Sequence, residues 1–190
     1  MDRLELTQNV KELIFALEKI SQVDAINLKE LGIRISNALK SGKGIYWCGN
    51  GGSAAESQHM AAELMGRFMV SRKPYKSLSL TTDTSAITGI ANDFDFEEIF
   101  SRQLEGISSP GDYLIVFSTS GNSKNIINVL KKAREIGVNS AAFLGHDGGH
   151  ALGLSDTEFF IQSRETARIQ EVHTILAHTL CQIIESENEK

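Results

Sequence analysis

The chain has 190 residues, of which 41% are hydrophobic and 23% are charged. This length and composition are those of one globular domain with a proper core, and they argue against an intrinsically disordered chain. The formal net charge of −5 disfavours a protein whose partner is a nucleic acid or an anionic membrane surface, because both partners require a cationic face.

The first 40 residues predict two helices. Apolar residues recur at helical spacing over 3–20 and over about 27–40, and the second stretch stops at Ser41-Gly42. These helices precede the first strand and are not needed to cover it. We therefore expect their apolar faces to pack in a helical bundle with another subunit. Packing back onto the same domain is the alternative.

Five short apolar runs then predict β-strands, at 44–49, 77–81, 113–118, 140–145 and 158–163. Helical stretches lie between and after them, at about 53–66, 95–107, 123–136 and 166–186. Alternation of this kind predicts βαβ units and a parallel sheet covered on both faces. The expected fold is a three-layer αβα, flavodoxin-like domain. We treat 1–190 as one domain, in which 1–40 serve oligomerisation and 41–190 form the αβα core.

Two features bear on the cellular compartment. Cys48 and Cys181 lie in apolar runs without metal-site spacing, so we expect reduced cysteines in the core. The charged N-terminal stretch does not resemble a signal peptide, and no apolar run approaches the ~18 residues of a membrane span. We expect a cytoplasmic protein.

The first strand ends in a glycine-rich loop, Asn50-Gly51-Gly52-Ser53, and a helix begins at once. Helix N-termini at the carboxyl ends of parallel strands attract anions. The loop also satisfies a loose dinucleotide pattern, Gly49-x-Gly51-x-x-Ala54. Asp83 lies too far along the chain to be the usual ribose-binding acid, which counts against a nicotinamide cofactor.

The third strand is followed by a loop rich in hydroxyl groups, at Ser118, Thr119, Ser120 and Ser123, and then by a helix. Such a loop predicts a phosphate site. The alternative is that these side chains only cap the helix.

His59 and Glu63 lie four residues apart in the helix after the first loop, on one helical face. They can share a divalent metal, or Glu63 can act as a general base. The alternative is a solvated ion pair.

Together, GNGGS, STSGNS and the late segment ARIQEVHTILAH resemble the sugar-isomerase (SIS) family over nearly the whole chain. His59-x-x-x-Glu63, Asn92-Asp93 and the run 168–171 narrow the resemblance to the phosphoheptose isomerases. This resemblance implies an aldose–ketose isomerase that converts sedoheptulose 7-phosphate to D-glycero-D-manno-heptose 7-phosphate. The reaction is the first step of nucleotide-activated heptose biosynthesis for lipopolysaccharide or capsule. The resemblance also implies a homotetramer.

The resemblance implies a zinc site made of His59, Glu63, Gln170 and His178. Gln170 and His178 lie eight positions apart, roughly 12 Å along a helix. We therefore expect either stretched side chains or a ligand from a neighbouring subunit, with the active site at an interface. Glu63 is assigned the carbon-bound proton, and His178 the oxygen-bound protons or ring opening. If zinc is bound, both residues become ligands, and which of them starts the reaction stays open.

The remaining assignments concern the sugar and the rival functions. The residues expected to meet the substrate are Asn50, Gly51, Gly52, Ser53, Glu63, Asn92, Asp93, Ser118, Thr119, Ser120, Ser123 and Gln170. Arg67 is a further candidate, and His146, His150 and His173 receive no role. Ala167 departs from family members that have an acid before the RIQE run. The rivals are a non-catalytic SIS adaptor of the replication-initiator-associating type, in which the glutamate and late histidine are missing, and an enzyme of another sugar phosphate.

Overall fold

The computed structural model describes residues 3–188, and within them two N-terminal helices precede an alternation of strands and helices. The strands are β1 (Ile45–Gly49), β2 (Ser77–Ser79), β3 (Tyr113–Ser118), β4 (Asn139–Gly145) and β5 (Thr157–Ile161). The helices are α1 (Arg3–Glu18), α2 (Gln22–Lys40), α3 (Gly52–Met65), α4 (Thr84–Asp93), α5 (Ile99–Ile107), α6 (Lys124–Glu135) and α7 (Thr166–Asn188). Short 3-10 turns cover Phe96–Glu98 and Gly149–Ala151.

The five strands form one sheet in the order β2-β1-β3-β4-β5, and every neighbouring pair is parallel. This is the flavodoxin-like order, so the predicted fold class is confirmed. The registers pair Gly49 with Phe117 and Ser118 with Leu144. The carboxyl ends of β1, β3 and β4 therefore share one edge of the sheet, where α3 and α6 begin.

Hydrophobic residues cover both faces of the sheet because successive strand residues point to opposite sides. One face carries Trp47, Phe117, Phe143 and Phe159 and packs against α2, α3 and α7. The other face packs against α5 and α6. Cys48 and Cys181 are buried and free, so the predicted core cysteines are confirmed.

The second and fifth helices differ from their predicted extents, since the fifth begins at Ile99 instead of about 95, and one helix was not predicted. The second begins at Gln22, earlier than predicted, because Ser21 and Asp24 form a capping box, with Asp24 N–H donating to Ser21 Oγ at 3.1 Å. Helix α4 was missed altogether. Its apolar residues Ile87, Ile90 and Ala91 recur at helical spacing and pack against the core, but the stretch is short and they are only partly buried.

The N-terminal helices pack partly on their own domain. Leu28, Leu31 and Ile35 of α2 belong to the same core cluster as α7, and Leu13 and Leu17 of α1 pack against that cluster. Leu6, Val10 and Ile14 of α1 lie on the same helical face as Leu13 and Leu17, but their side chains are exposed. The bundle with another subunit stays a prediction. No helix within residues 3–188 combines the length and apolarity needed to cross a bilayer.

The close approach of α2 and α7 yields a stability prediction. A Cβ added at buried Gly32 would lie 2.5 Å from Ile183 Cγ2. Gly32→Ala should therefore lower the free energy of unfolding by about 1–3 kcal/mol, as overpacking does. The matched control is Gly89→Ala in α4, where a Cβ meets open space. That change should raise stability by about 0.5–1 kcal/mol. Chemical denaturation of both variants checks the prediction, and equal stability would contradict the packing described.

Candidate active site

Two helix N-termini meet at the carboxyl edge of the sheet. Helix α3 starts after Gly51 and α6 after Ser123, and neither has a side-chain cap hydrogen bond. Their first backbone N–H groups lack partners within the helix and attract anions. Gly51 (φ +56°) and Gly121 (φ +63°) hold left-handed conformations that favour glycine. The two loops are thus shaped by backbone conformations that other residues adopt poorly.

Hydroxyl groups line the hollow between these loops. The hollow measures about 40 Å³ and is bordered by Asn50, Ser53, Phe117, Ser118, Thr119, Ser120 and Ser123. Ser118 Oγ accepts a hydrogen bond from Gly121 N–H at 3.1 Å, and Ser120 Oγ accepts one from Asn122 N–H at 3.2 Å. Ser123 makes no cap hydrogen bond. Helix capping therefore does not account for the Ser123 hydroxyl.

Asn125 ties the two loops together and was not singled out from the sequence. The side-chain amides of Asn50 and Asn125 form a reciprocal pair of hydrogen bonds, each 2.9 Å long. Asn125 lies in the first turn of α6 and is buried. An asparagine just after a hydroxyl-rich loop is the only sequence signal for it, and its partner lies 75 positions away.

Helices α3 and α7 run side by side in the same direction. Gly52 faces Gln170, since a Cβ at Gly52 would lie 2.5 Å from Gln170 Nε2. One turn on, Thr174 Oγ1 donates to Glu56 Oε2 at 3.0 Å. A further turn on, the rings of His59 and His178 meet at 4.8 Å. The two helices therefore present their polar residues to each other level by level.

Three titratable side chains converge at the last of these levels. The ligand atoms of His59, Glu63 and His178 all lie within 4.8 Å of one another. His59 Nε2 lies 3.1 Å from Glu63 Oε1. The ring of Phe68 stacks on His178, with a centroid separation of 5.4 Å and an interplanar angle of 13°. The cluster is partly open, since His59 is exposed while Glu63 and His178 are half-buried.

The donors of this cluster fit a zinc ion. Two imidazoles and one carboxylate are ligands that zinc prefers, at about 2.0–2.2 Å from the metal. In tetrahedral coordination two such ligands lie about 3.3–3.6 Å apart, so ligand atoms that now lie within 4.8 Å of one another would approach by about 1.4 Å at most. Gln170, the fourth predicted ligand, lies against Gly52, seven positions before His59 on α3.

Glu56 lies between these two levels and was missed by sequence reasoning. Its Oε2 accepts the Thr174 hydrogen bond, and its Oε1 is buried without a hydrogen-bond partner. Glu56 precedes His59 by three positions and therefore shares its helical face. That spacing was visible in the sequence, but an acid near the start of a helix is common for other reasons.

The other residues considered from the sequence are either exposed or contact different partners. Asn92 Nδ2 donates to Asp93 Oδ1 at 2.8 Å at the exposed end of α4. Arg67 is exposed. His173 is buried between Phe117 and Phe143, and burial lowers its pKa to about 4, so it is a neutral core residue.

Two loop histidines and a large cleft lie elsewhere on the surface. His150 Nδ1 lies 2.7 Å from Asn122 Oδ1, and His146 has a left-handed backbone (φ +54°). A cleft of about 760 Å³ lies between α1 and the segments 146–147 and 162–165. It is lined by residues other than those predicted for the site.

The chain is similar to proteins of a known family. The SIS domain family model matches residues 8–145. The phosphoheptose isomerase of Aliarcobacter butzleri is 50% identical over 149 residues, which are 78% of this chain and 79% of that protein. The solved phosphoheptose isomerase of Neisseria gonorrhoeae is 36% identical, with a TM-score of 0.85 and 96% of both chains covered. That of Francisella tularensis is 28% identical, with a TM-score of 0.92, covering 98% of this chain and 100% of the other.

The hydroxyl-lined hollow generates a binding prediction. Ser120→Ala combined with Ser123→Ala removes two hydroxyls that can donate to a phosphate. Hydrogen bonds to charged groups are worth about 1.5–3 kcal/mol each, so sugar-phosphate binding should weaken at least about tenfold. Ser186→Ala, at the exposed end of α7, is the control. Calorimetric titration gives the affinities, and an unchanged value for the double variant would place the phosphate elsewhere.

Proposed function

The chain belongs to the SIS domain family and, within it, to the phosphoheptose isomerases, and on that premise we propose that it converts sedoheptulose 7-phosphate to D-glycero-D-manno-heptose 7-phosphate. It is an aldose–ketose isomerase of heptose biosynthesis. The observation that carries the proposal is the arrangement of two groups along α3. The hydroxyl-lined loops lie at the start of this helix, and His59, Glu63 and His178 converge further along it.

The reaction moves two protons. One leaves C1 of the ketose and is delivered to C2, while the hydroxyl proton on O1 is lost and O2 gains one. An enediol(ate) forms between the two steps. Such chemistry needs a base at the carbons and a group that serves the oxygens.

We assign the carbon-bound proton to Glu63 and the oxygen-bound protons to His178. Glu63 Oε1 lies 3.1 Å from His59 Nε2. The other carboxylate oxygen, Oε2, would accept the carbon-bound proton. His178 is held between the rings of Phe68 and His59. A half-buried imidazole so placed can shuttle a proton between neighbouring oxygens without reorienting. His178 also suits the opening of the sugar ring.

The phosphate end of the substrate is assigned to the two loops. From Gly52 to His59 the helix advances roughly 10 Å, which is comparable to the length of an extended seven-carbon chain with a terminal phosphate. The phosphate would contact the hydroxyls and helix N-termini of both loops. The full proposed substrate set is Asn50, Gly51, Gly52, Ser53, Glu63, Asn92, Asp93, Ser118, Thr119, Ser120, Ser123 and Gln170.

We also propose one zinc ion per subunit. His59, Glu63 and His178 would hold it, and the Gln170 ligand would come from a neighbouring subunit, because Gln170 of the same chain lies against Gly52. When bound, zinc would polarise the carbonyl of the sugar and favour negative charge on its oxygens. The support for this proposal is the donor set, two imidazoles and a carboxylate, and their mutual distances.

The assembly and location are proposed on different grounds. The exposed apolar side of α1 favours a homotetramer, with residues 1–40 contributing to the contacts and active sites near subunit interfaces. Two free buried cysteines are compatible with the reducing cytoplasm.

Glu63→Gln tests the base assignment. The amide keeps the size of the side chain but cannot accept the carbon-bound proton, so kcat should fall by about 10²–10⁴-fold. A coupled assay with sedoheptulose 7-phosphate measures it, and circular dichroism checks folding. Glu105→Gln, on the exposed surface of α5, is the matched control. A folded Glu63→Gln protein within tenfold of the parent rate would remove the assignment.

Metal analysis tests the zinc proposal. The purified protein should bind one zinc per chain, and His59→Ala should weaken zinc binding by more than the roughly 10–100-fold cost of losing an outer-shell contact. His150→Ala, whose ring contacts Asn122 instead, should bind zinc as the parent does. Equal zinc affinity in all three proteins would show that the ion, if any, is held elsewhere.

A further inference from the structure

A buried ion pair fastens the loop between α3 and β2 to the end of α7. Glu185 accepts hydrogen bonds from the backbone N–H groups of Phe68 (3.0 Å), Met69 (2.8 Å) and Val70 (3.4 Å). Its Oε1 also accepts one from Arg72 Nε at 2.7 Å. The side chains of Glu185 and Arg72 are only 3% and 10% exposed. Three successive backbone groups are thereby fixed by one carboxylate.

Arg72 extends this network to the carboxyl end of α3. Its terminal nitrogens donate to the carbonyl oxygens of Glu63 and Leu64, each at 2.9 Å. The last carbonyls of a helix have no partner within it, so these bonds satisfy groups that otherwise need water. The backbone of Glu63 is thus connected through Arg72 to Glu185 on α7.

The network holds Phe68, whose ring lies against His178. The N–H of Phe68 is bound by Glu185, and its ring stacks on the imidazole at 5.4 Å. His178 in turn meets His59 edge to face. Phe68 therefore covers one face of the imidazole, and its own position depends on the carboxylate of Glu185.

The charge state of Glu185 suits this task. Burial raises its pKa, but the backbone N–H groups and the guanidinium of Arg72 outweigh burial, and the pKa lies below its ordinary value. The carboxylate is therefore ionised and accepts from all its donors. The guanidinium fork of Arg72 satisfies several acceptors at once, which the point charge of a lysine does not.

We propose that Arg72 and Glu185 are positioning residues for the isomerase reaction: they fix Phe68, and through it the orientation of the His178 imidazole. The inference rests on the proposed function of His178. Neither residue of the pair is assigned to the substrate, so their loss should lower turnover and leave the phosphate-binding loops unaffected.

A double-mutant cycle in kcat tests the link. Phe68→Leu and Glu185→Gln should each lower kcat by about tenfold or more, because a small misplacement of a reacting group costs up to about 10²-fold, while KM stays within about twofold. The double variant should be no slower than the slower single variant, because both changes act on kcat through the same contact, that of the Phe68 ring with His178. Independent effects would instead multiply, and that outcome would overturn the proposal.

Further variants separate positioning from general damage. Phe68→Tyr keeps the stacked ring and should restore kcat to within about twofold of the parent, whereas a rate as low as that of Phe68→Leu would overturn the proposal. Leu130→Ala, in the core on the other side of the sheet, is the control for lost stability. It should keep the parent kcat at a temperature where it is folded. An equal loss of kcat in this control would make the effect one of stability.

A substitute variant and an assay of the parent protein complete the test. If Glu185→Gln does not fold, Arg72→Lys replaces it in the cycle, with the same expected non-additivity. The parent protein is assayed alongside with sedoheptulose 7-phosphate. A parent without isomerase activity refutes the proposed function, whereas an active parent whose folded variants keep its kcat refutes only the positioning role.

Discussion

The parallel contact between α3 and α7 is the constraint on which the site depends. Both helices begin at the carboxyl edge of a parallel sheet, so they run in the same direction and their side chains meet level by level. Gly52 meets Gln170, Glu56 meets Thr174, and His59 meets His178. Met60 and Cys181 also touch, at 3.9 Å between their sulfurs. This register puts Gln170 beside the anion-binding loops and the His178 imidazole two turns further along α7.

The register explains how one helix pair can serve both ends of a long substrate. The eight positions between Gln170 and His178 separate two tasks along the same groove. The loops at the sheet edge supply uncapped helix N-termini and hydroxyls for an anion. The cluster of His59, Glu63 and His178, two turns further along, supplies the acid–base and metal-binding groups. The chemistry thus lies at a fixed distance from the anion site, set by the helix rise of about 1.5 Å per residue.

Most of the fold followed from the sequence because its signals are local. Strands β1 and β3 are nearly continuous apolar runs, and the βαβ alternation leaves few topologies. Helix α4 was missed because its apolar positions, Ile87, Ile90 and Ala91, form a short and only partly buried stripe. Within the site, His59 and Glu63 were found by their spacing along one helix. Glu56, Asn125 and Arg72 were missed because their partners lie 118, 75 and 113 positions away. Such pairings exist only once the chain is folded.

Paired side chains fix the structure at both ends of this groove. The buried Arg72–Glu185 pair lies at the end with the histidine cluster, and the Asn50–Asn125 pair joins the two loops at the other end.

The central claim is that the reacting carbons lie between Glu63 and His178 while the phosphate lies at the start of α6. A crystal structure of the Glu63→Gln protein with sedoheptulose 7-phosphate bound tests it most directly. The account predicts C1 and C2 about 3–3.5 Å from the side chains of residues 63 and 178, with the phosphate against Ser120 and Ser123. A sugar bound in the cleft beside α1, or with its phosphate at the histidine cluster, would contradict it.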